Sequence, residues 1–154
     1  MAIIYVLQGA GNKGKSTTLI NVCNKLERKY NKPLTPISYS SANKLIDIKV
    51  ILTNIKTKNG GILTVGITSQ GDVADRIIRE INEFLSNNCD IIFSACHLSG
   101  NTVDAVNLFH RNNTIDFTQQ VIQKNTYNVP NTNQTMQDKC NDCMADHLID
   151  KSGL

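Results

Sequence analysis

The apolar positions of this chain change period several times, and each change marks an element. Ile3-Ile4-Tyr5-Val6-Leu7 is an unbroken apolar run, too short for a helix, and reads as a buried strand. From Lys15 to about Tyr30, Leu19, Ile20, Cys23 and Leu26 recur at helical spacing. Asn31 to Asn43 carries Pro33 and Pro36 among small polar residues and reads as a surface connection. Leu45 to Ile55 then alternates, with Ile46, Ile48, Val50, Leu52 and Asn54 to one side and Asp47, Lys49, Ile51, Thr53 and Ile55 to the other. That is strand periodicity. Lys58-Asn59-Gly60-Gly61 is a hairpin signal, and Ile62 to Ile67 supplies the second strand of an antiparallel pair whose first member lies at a sheet edge.

Further on, Val73, Ile77, Ile78, Ile81 and Leu85 share one helical face, with Asp75, Arg76, Arg79 and Glu80 largely opposite. Asp90 to Ala95 reads as a buried parallel strand and Gly100 to about Phe109 as a helix. Thr114 to Ile122 admits a last strand through Ile115, Phe117 and Val121, and Asn125 to Asn133 reads as loop. From Gln134 to Lys151, Met136, Cys140, Cys143, His147 and Leu148 fall on one helical face, the expected core face. The assembled expectation is a single α/β domain over 1–154: three layers, a mainly parallel sheet with an antiparallel edge strand, and helices on both faces. With strands numbered in chain order, the expected arrangement is 2-3-1-4-5, which puts the first strand in the middle.

Composition narrows the class. The chain has 154 residues, 40% of them hydrophobic, and a mean hydropathy of -0.22, which suits one globular domain with its own core. A net charge of +3 with no dense Lys/Arg run gives no strong nucleic-acid signal. No apolar run is long enough to cross a bilayer, so no membrane partner is expected. The apolar opening to Leu7 is too short for a signal-peptide core. Cys23, Cys89, Cys96, Cys140 and Cys143 are an odd number of thiols, read as reduced and mostly buried in a cytoplasmic protein. Cys140, Cys143 and His147 have a spacing that hints at zinc, but no fourth ligand or partner knuckle accompanies them, so core packing is preferred.

The chemistry concentrates between the first strand and the first helix. Gly9-Ala10-Gly11-Asn12-Lys13-Gly14-Lys15-Ser16 fits G-x-x-x-x-G-K-[ST] without a gap. Glycines let such a backbone turn its N–H groups inward as an anion nest, and the following helix adds unpaired amides and the positive end of its dipole. The candidate phosphate-binding set is Gly9, Gly11, Asn12, Lys13, Gly14, Lys15, Ser16 and Thr17. On these residues the chain resembles the P-loop nucleoside triphosphatase superfamily, through its Walker A motif, over about the first thirty residues. The resemblance implies that Lys15 reaches the β- and γ-phosphates, Ser16 offers its hydroxyl to Mg²⁺, and Thr17 reaches the α-phosphate.

In switch GTPases the strand-to-turn junction at Thr68-Ser69-Gln70-Gly71-Asp72 would read Asp-x-x-Gly, with the magnesium acid at position 68. Thr68 stands there instead. Asp72 is the substitute candidate for metal and catalysis, and Gln70 a candidate to orient a water or touch the γ-phosphate. Asp72 equally suits a helix cap, and the two roles are compatible. His97, Ser99 and Thr102 follow a central strand and are candidate substrate contacts, or a helix cap at Asn101 or Thr102; Asp90 precedes its strand and lies at the wrong end. Arg76, Arg79 and Arg111 are the arginines available to neutralise developing charge, Arg76 and Arg79 fitting a solvated helix face equally well. No guanine-reading Asn-Lys-x-Asp occurs in a suitable region, so adenine nucleotides are the default. The leading expectation is therefore an enzyme using ATP or another NTP with Mg²⁺, as a hydrolase or as a kinase acting on a small-molecule or nucleotide acceptor. The runner-up is a nucleotide-responsive binding module with little turnover.

Overall fold

The computed structural model describes residues 2–9, 14–111, 117–123 and 134–154. Ala10, Gly11, Asn12 and Lys13 lie outside the described residues, as do 112–116 and 124–133.

Five strands and four helices alternate along the chain: β1 (Ala2–Gln8), α1 (Lys15–Lys29), β2 (Lys49–Lys56), β3 (Ile62–Thr68), α2 (Ala74–Ser86), β4 (Ile91–Cys96), α3 (Asn101–Arg111), β5 (Phe117–Gln123) and α4 (Gln134–Ser152). They form one sheet in the order β2-β3-β4-β1-β5. Every pairing is parallel except the β2–β3 hairpin, which places β2 at the edge. The expected order 2-3-1-4-5 is thus corrected: β4 separates β3 from β1. Its residues Ile91 to Cys96 are buried throughout, as a strand covered by neighbours and by both faces must be.

Alternation along the strands divides the interior into two cores. Tyr5, Leu7, Val65, Ile67, Phe93 and Ala95 meet Leu19, Cys23 and Leu26 of α1 and Ala145 and Leu148 of α4 on one face. Ile4, Val6 and Ile92 meet Ile77, Ile81 and Phe84 of α2 and Ala105, Val106 and Phe109 of α3 on the other. Each fully buried Leu, Ile or Phe contributes about 1.5–3 kcal/mol of transfer free energy. Gly66 has to be glycine for α2 to sit where it does: a Cβ there would lie 2.6 Å from Phe84 Cγ.

Three sequence expectations shift here. β2 begins at Lys49 instead of Leu45, and its pairing slips between Leu52 and Ile55, where Asn54 takes a φ of 56°. The bulge returns Ile55 to the same core as Leu52, although strict alternation would set them apart. In α2, Glu80 is buried and does not share the solvated face. In α4, the buried positions are Asn141, Ala145, Leu148 and Ile149, while Met136, Cys143 and His147 are exposed and Cys140 half-buried. The core-facing role expected for Met136, Cys140, Cys143 and His147 is overturned: Ala145, Leu148 and Ile149 turn to the core instead, and Asn141 on the same side meets Thr18 of α1 at 3.4 Å. No helix among the described residues is long and apolar enough to cross a membrane.

Candidate functional site

The carboxyl ends of β1, β3 and β4 and the start of the antiparallel β2 open on one edge of the sheet, so the connections leaving them converge. β1 ends at Gln8, paired with Cys96 of β4 and Gln123 of β5, and the Gly9 N–H still donates to the Cys96 carbonyl at 3.2 Å. Gly14 takes a left-handed φ of 76° and starts α1. Glycine adopts that conformation without the Cβ penalty. Among the described residues no side chain caps this helix start, and no acid occupies its first turn. The leading amides of α1 and the positive end of its dipole therefore face the sheet edge.

Lys15 does not extend into solvent. Its ammonium donates to the Gly9 carbonyl at 2.9 Å and the residue is only 6% exposed. Burial lowers its pKa, against the raising influence of the Asp72 carboxylate and the Cys96 thiol. The lysine thus bridges the two ends of the glycine-rich segment, with Asp72 and Cys96 within electrostatic reach.

Beside it, Ser16 Oγ faces two acceptors, Asp47 Oδ1 at 3.2 Å and the Ser69 carbonyl at 3.1 Å. One hydroxyl proton cannot satisfy both at once. Ser69 Oγ also donates to Asp47 Oδ1, at 2.8 Å, and accepts from the Ile48 N–H at 2.9 Å. The acid that meets the Ser16 hydroxyl is therefore Asp47, a residue not singled out among the candidates and assigned merely to a strand. The sequence did carry a signal: Asp47 is the sole acid between Glu27 and Asp72. It sits just before β2, whose antiparallel direction brings that start to the carboxyl edge.

The segment leading to Asp47 is fastened at its other end too. Glu27 of α1 is fully buried and accepts from the Thr35 N–H, at 3.1 and 3.0 Å to its two oxygens, as well as from the Thr35 hydroxyl. Its closeness to Cys23, together with burial, helps push that thiol up to about 12. Between these anchors Leu34, Ile37, Tyr39 and Ile46 are all exposed.

The 68–72 turn is held from beneath. Thr68 donates to Glu80 of α2, and the same hydroxyl accepts from the Gln70 N–H at 3.2 Å. Glu80 is completed by Arg76 Nε at 2.8 Å. Position 68, where an acid was sought, thus receives a carboxylate from α2 through a hydroxyl. Gln70 is buried and spends its carbonyl oxygen on the Asp72 and Val73 N–H groups, at 2.6 and 3.3 Å. Gln70, and not Asp72, closes the turn into α2; Val73 is the N-cap residue and has no side-chain cap. Asp72 instead points outward and pairs with His97 Nε2 at 3.1 Å.

Asp72, Asp75, His97, Ser99, Asn101 and Thr102 line a cleft of 470 Å³ between the β3–α2 and β4–α3 connections. Thr102 also serves the turn itself, accepting from the His97 N–H at 3.0 Å. Thr17 faces elsewhere, into a 590 Å³ groove with Asn21 and the α4 residues Asp138, Lys139 and Asp142. Arg76 is committed to Glu80, Arg79 is exposed, and the side chain of Arg111, the last residue of α3, lies outside the described residues. Asp90 sits at the opposite edge, as expected, bonded to the Thr64 backbone. Among the described residues no three His, Cys, Asp or Glu side chains gather into a metal cluster, Cys140, Cys143 and His147 included.

Comparison with protein-family models, curated proteins and solved structures finds no significant match to this chain.

Proposed function

We propose that the protein binds a nucleoside triphosphate, an adenine nucleotide by default, together with Mg²⁺, and hydrolyses it or transfers its terminal phosphate. The fold then has the three-layer build of a P-loop nucleotide-binding domain. The observation that carries this reading is the buried Lys15 ammonium folded back onto the Gly9 carbonyl, at the mouth of a helix with uncapped amides and no acid in its first turn. Burial lowers the pKa of this ammonium, and a charge held out of water interacts strongly with a nearby anion. A polyanion arriving at the Gly9–Ser16 segment would meet that ammonium together with the leading amides of α1.

The oxygen donors suit a hard divalent cation. Ser16 and Asp47 would hold Mg²⁺ there, with water and phosphate oxygens completing the shell, the usual way this ion is bound in place of an all-protein cage. When bound, it neutralises charge on the terminal phosphates. The chain's own part is positional. Lys15 holds the terminal phosphates, Asp47 fixes the direction of the Ser16 hydroxyl, and the Glu80–Thr68–Gln70 relay keeps the 68–72 turn beside them. Calorimetry with ATP in the presence and absence of Mg²⁺ is the direct test: saturable binding tightened by Mg²⁺ is expected, and its absence removes the reading.

A second reading, a nucleotide-responsive binding module, is favoured by two features. Thr68 is tied to Glu80 instead of presenting an acid, and the segment ending at Asp47 carries four exposed apolar side chains, Leu34, Ile37, Tyr39 and Ile46. Steady release of phosphate from bound ATP supports catalysis. Tight binding with negligible release supports the module.

A further inference from the structure

The cleft between the β3–α2 and β4–α3 connections opens at the same carboxyl edge of the sheet as Lys15 without being part of the glycine-rich segment. Asp72, on its wall, lies within electrostatic reach of the Lys15 ammonium, and His97 follows Cys96, whose thiol senses the same charge. Its 470 Å³ falls within the range of about 300–1,000 Å³ typical of small-molecule sites. The lining is one-sided in charge. Among the described residues it holds Asp72, Asp75 and His97, the neutral hydrogen-bonding groups Ser99, Asn101 and Thr102, and the apolar Val73 and Ala74, with neither lysine nor arginine. Asp72 is engaged by His97, whereas Asp75 has no ion pair among the described residues and projects from the first turn of α2. Arg76, the nearest arginine in the chain, is turned to Glu80.

A phosphorylated molecule entering this cleft would meet two carboxylates and, among the described lining residues, neither lysine nor arginine. We propose that the cleft seats the molecule receiving the terminal phosphate, and that this acceptor is a hydroxyl-bearing small molecule with no phosphate of its own, by preference an amine paired with Asp75. The assignment rests on the nucleotide reading above and decides between its variants, in favour of transfer. His97 Nε2 lies 3.1 Å from Asp72 Oδ1, and in a neutral imidazole that donates from Nε2 the lone pair is on Nδ1. In the transfer, the acceptor oxygen bonds to the terminal phosphorus and its proton passes to His97 Nδ1. The bond from that phosphorus to the bridging oxygen breaks, and its electron pair leaves on the nucleoside diphosphate. His97 then returns the proton to solvent.

The test uses the full chain with Mg·ATP labelled at the terminal phosphate. The probes are amino alcohols, amino sugars and nucleosides, set against nucleoside monophosphates and sugar phosphates. Label is expected on a hydroxyl of an amine-bearing or uncharged probe. Asp75→Asn is expected to raise the KM for an amine-bearing acceptor ~10-fold, the scale of one lost charge-assisted contact, with kcat and ATP affinity kept. Transfer to phosphorylated probes only, label passing to water alone, or an unchanged KM in Asp75→Asn each overturns the proposal. Calorimetric ATP affinity on the same samples tells the failures apart. If it is intact, the acceptor assignment alone has failed; if it is absent, the nucleotide reading falls and takes this inference with it.

Discussion

Two aspartates at opposite edges of the sheet do different work with the same carboxylate. Asp90, at the amino edge, accepts from the Thr64 N–H at 2.8 Å, donates its own N–H to the Thr64 carbonyl at 2.8 Å, and accepts from the Ile3 N–H at 2.8 Å on its carbonyl. It stitches β3, β4 and β1 together where they begin. Asp47, at the carboxyl edge, is held by the hydroxyls of Ser16 and Ser69. Backbone donors are fixed by the fold, whereas hydroxyls rotate and can be redirected to another partner. Location alone does not make a carboxylate structural or functional. The kind of donor that surrounds it is the better guide.

The largest effect separating the two edges is expected at Lys15. Lys15→Ala should weaken ATP binding ~10- to 100-fold, the size of a lost contact between charged groups, with an unchanged unfolding midpoint in urea. A variant that binds as tightly as the parent removes the carboxyl edge from the comparison. Asp90→Ala should show the reverse pattern. It strands a part-buried N–H and should cost about 1–3 kcal/mol of stability, read from urea melts, with ATP affinity intact once folded. Asp47→Asn keeps an acceptor oxygen for both serines but removes the charge. Stability is expected to stay within ~1 kcal/mol of the parent, while the tightening of ATP binding by Mg²⁺ falls about tenfold. Should Asp47→Asn melt early and keep its Mg²⁺ response, Asp47 belongs with Asp90.

The smallest effect concerns pH. Burial pushes Cys89, beside Asp90, and Cys96, beside Lys15, both up to about 11 from an ordinary 9.0. A thiol held neutral in the fold but free to ionise when unfolded favours unfolding once pH exceeds 9. With Cys23, pushed up further to about 12, the thiols should leave stability level below pH 9 and make it decline above, to about 11 for Cys89 and Cys96 and to about 12 for Cys23, which urea melts across that interval would record. Cys89→Ala and Cys96→Ala should each remove part of the slope.

Much of the fold was legible because local period and packing agree. Leu19, Cys23 and Leu26 in α1, Ile77 and Ile81 in α2, and the run through β4 are all buried where their spacing placed them. Strand order was not legible, because β1 and β4 are equally apolar runs and nothing local says which lies beside β3. The rotation of α4 was missed because its apolar residues are sparse and scattered, so that Met136 and Cys143 competed in the pattern with the Ala145, Leu148 and Ile149 face that is buried, where Asn141 also meets Thr18. Asp47 was hidden within an alternating pattern that extended past the true start of β2. Glu80 looked like one more charge on an exposed helix flank, and the Thr68 hydroxyl and Arg76 together satisfy its buried carboxylate.

The span from Thr35 to Asp47 behaves mechanically as a strap with two buckles. Glu27 closes one, and the Ser16–Asp47–Ser69 group closes the other. A ligand that claims the Ser16 hydroxyl would remove one bond from the second buckle, while the Ser69 bonds to Asp47 and Ile48 and the first buckle keep their hold. Ile37, Tyr39 and Ile46 ride on this ribbon, so three exposed apolar side chains are moored at one end to the carboxylate that meets Ser16.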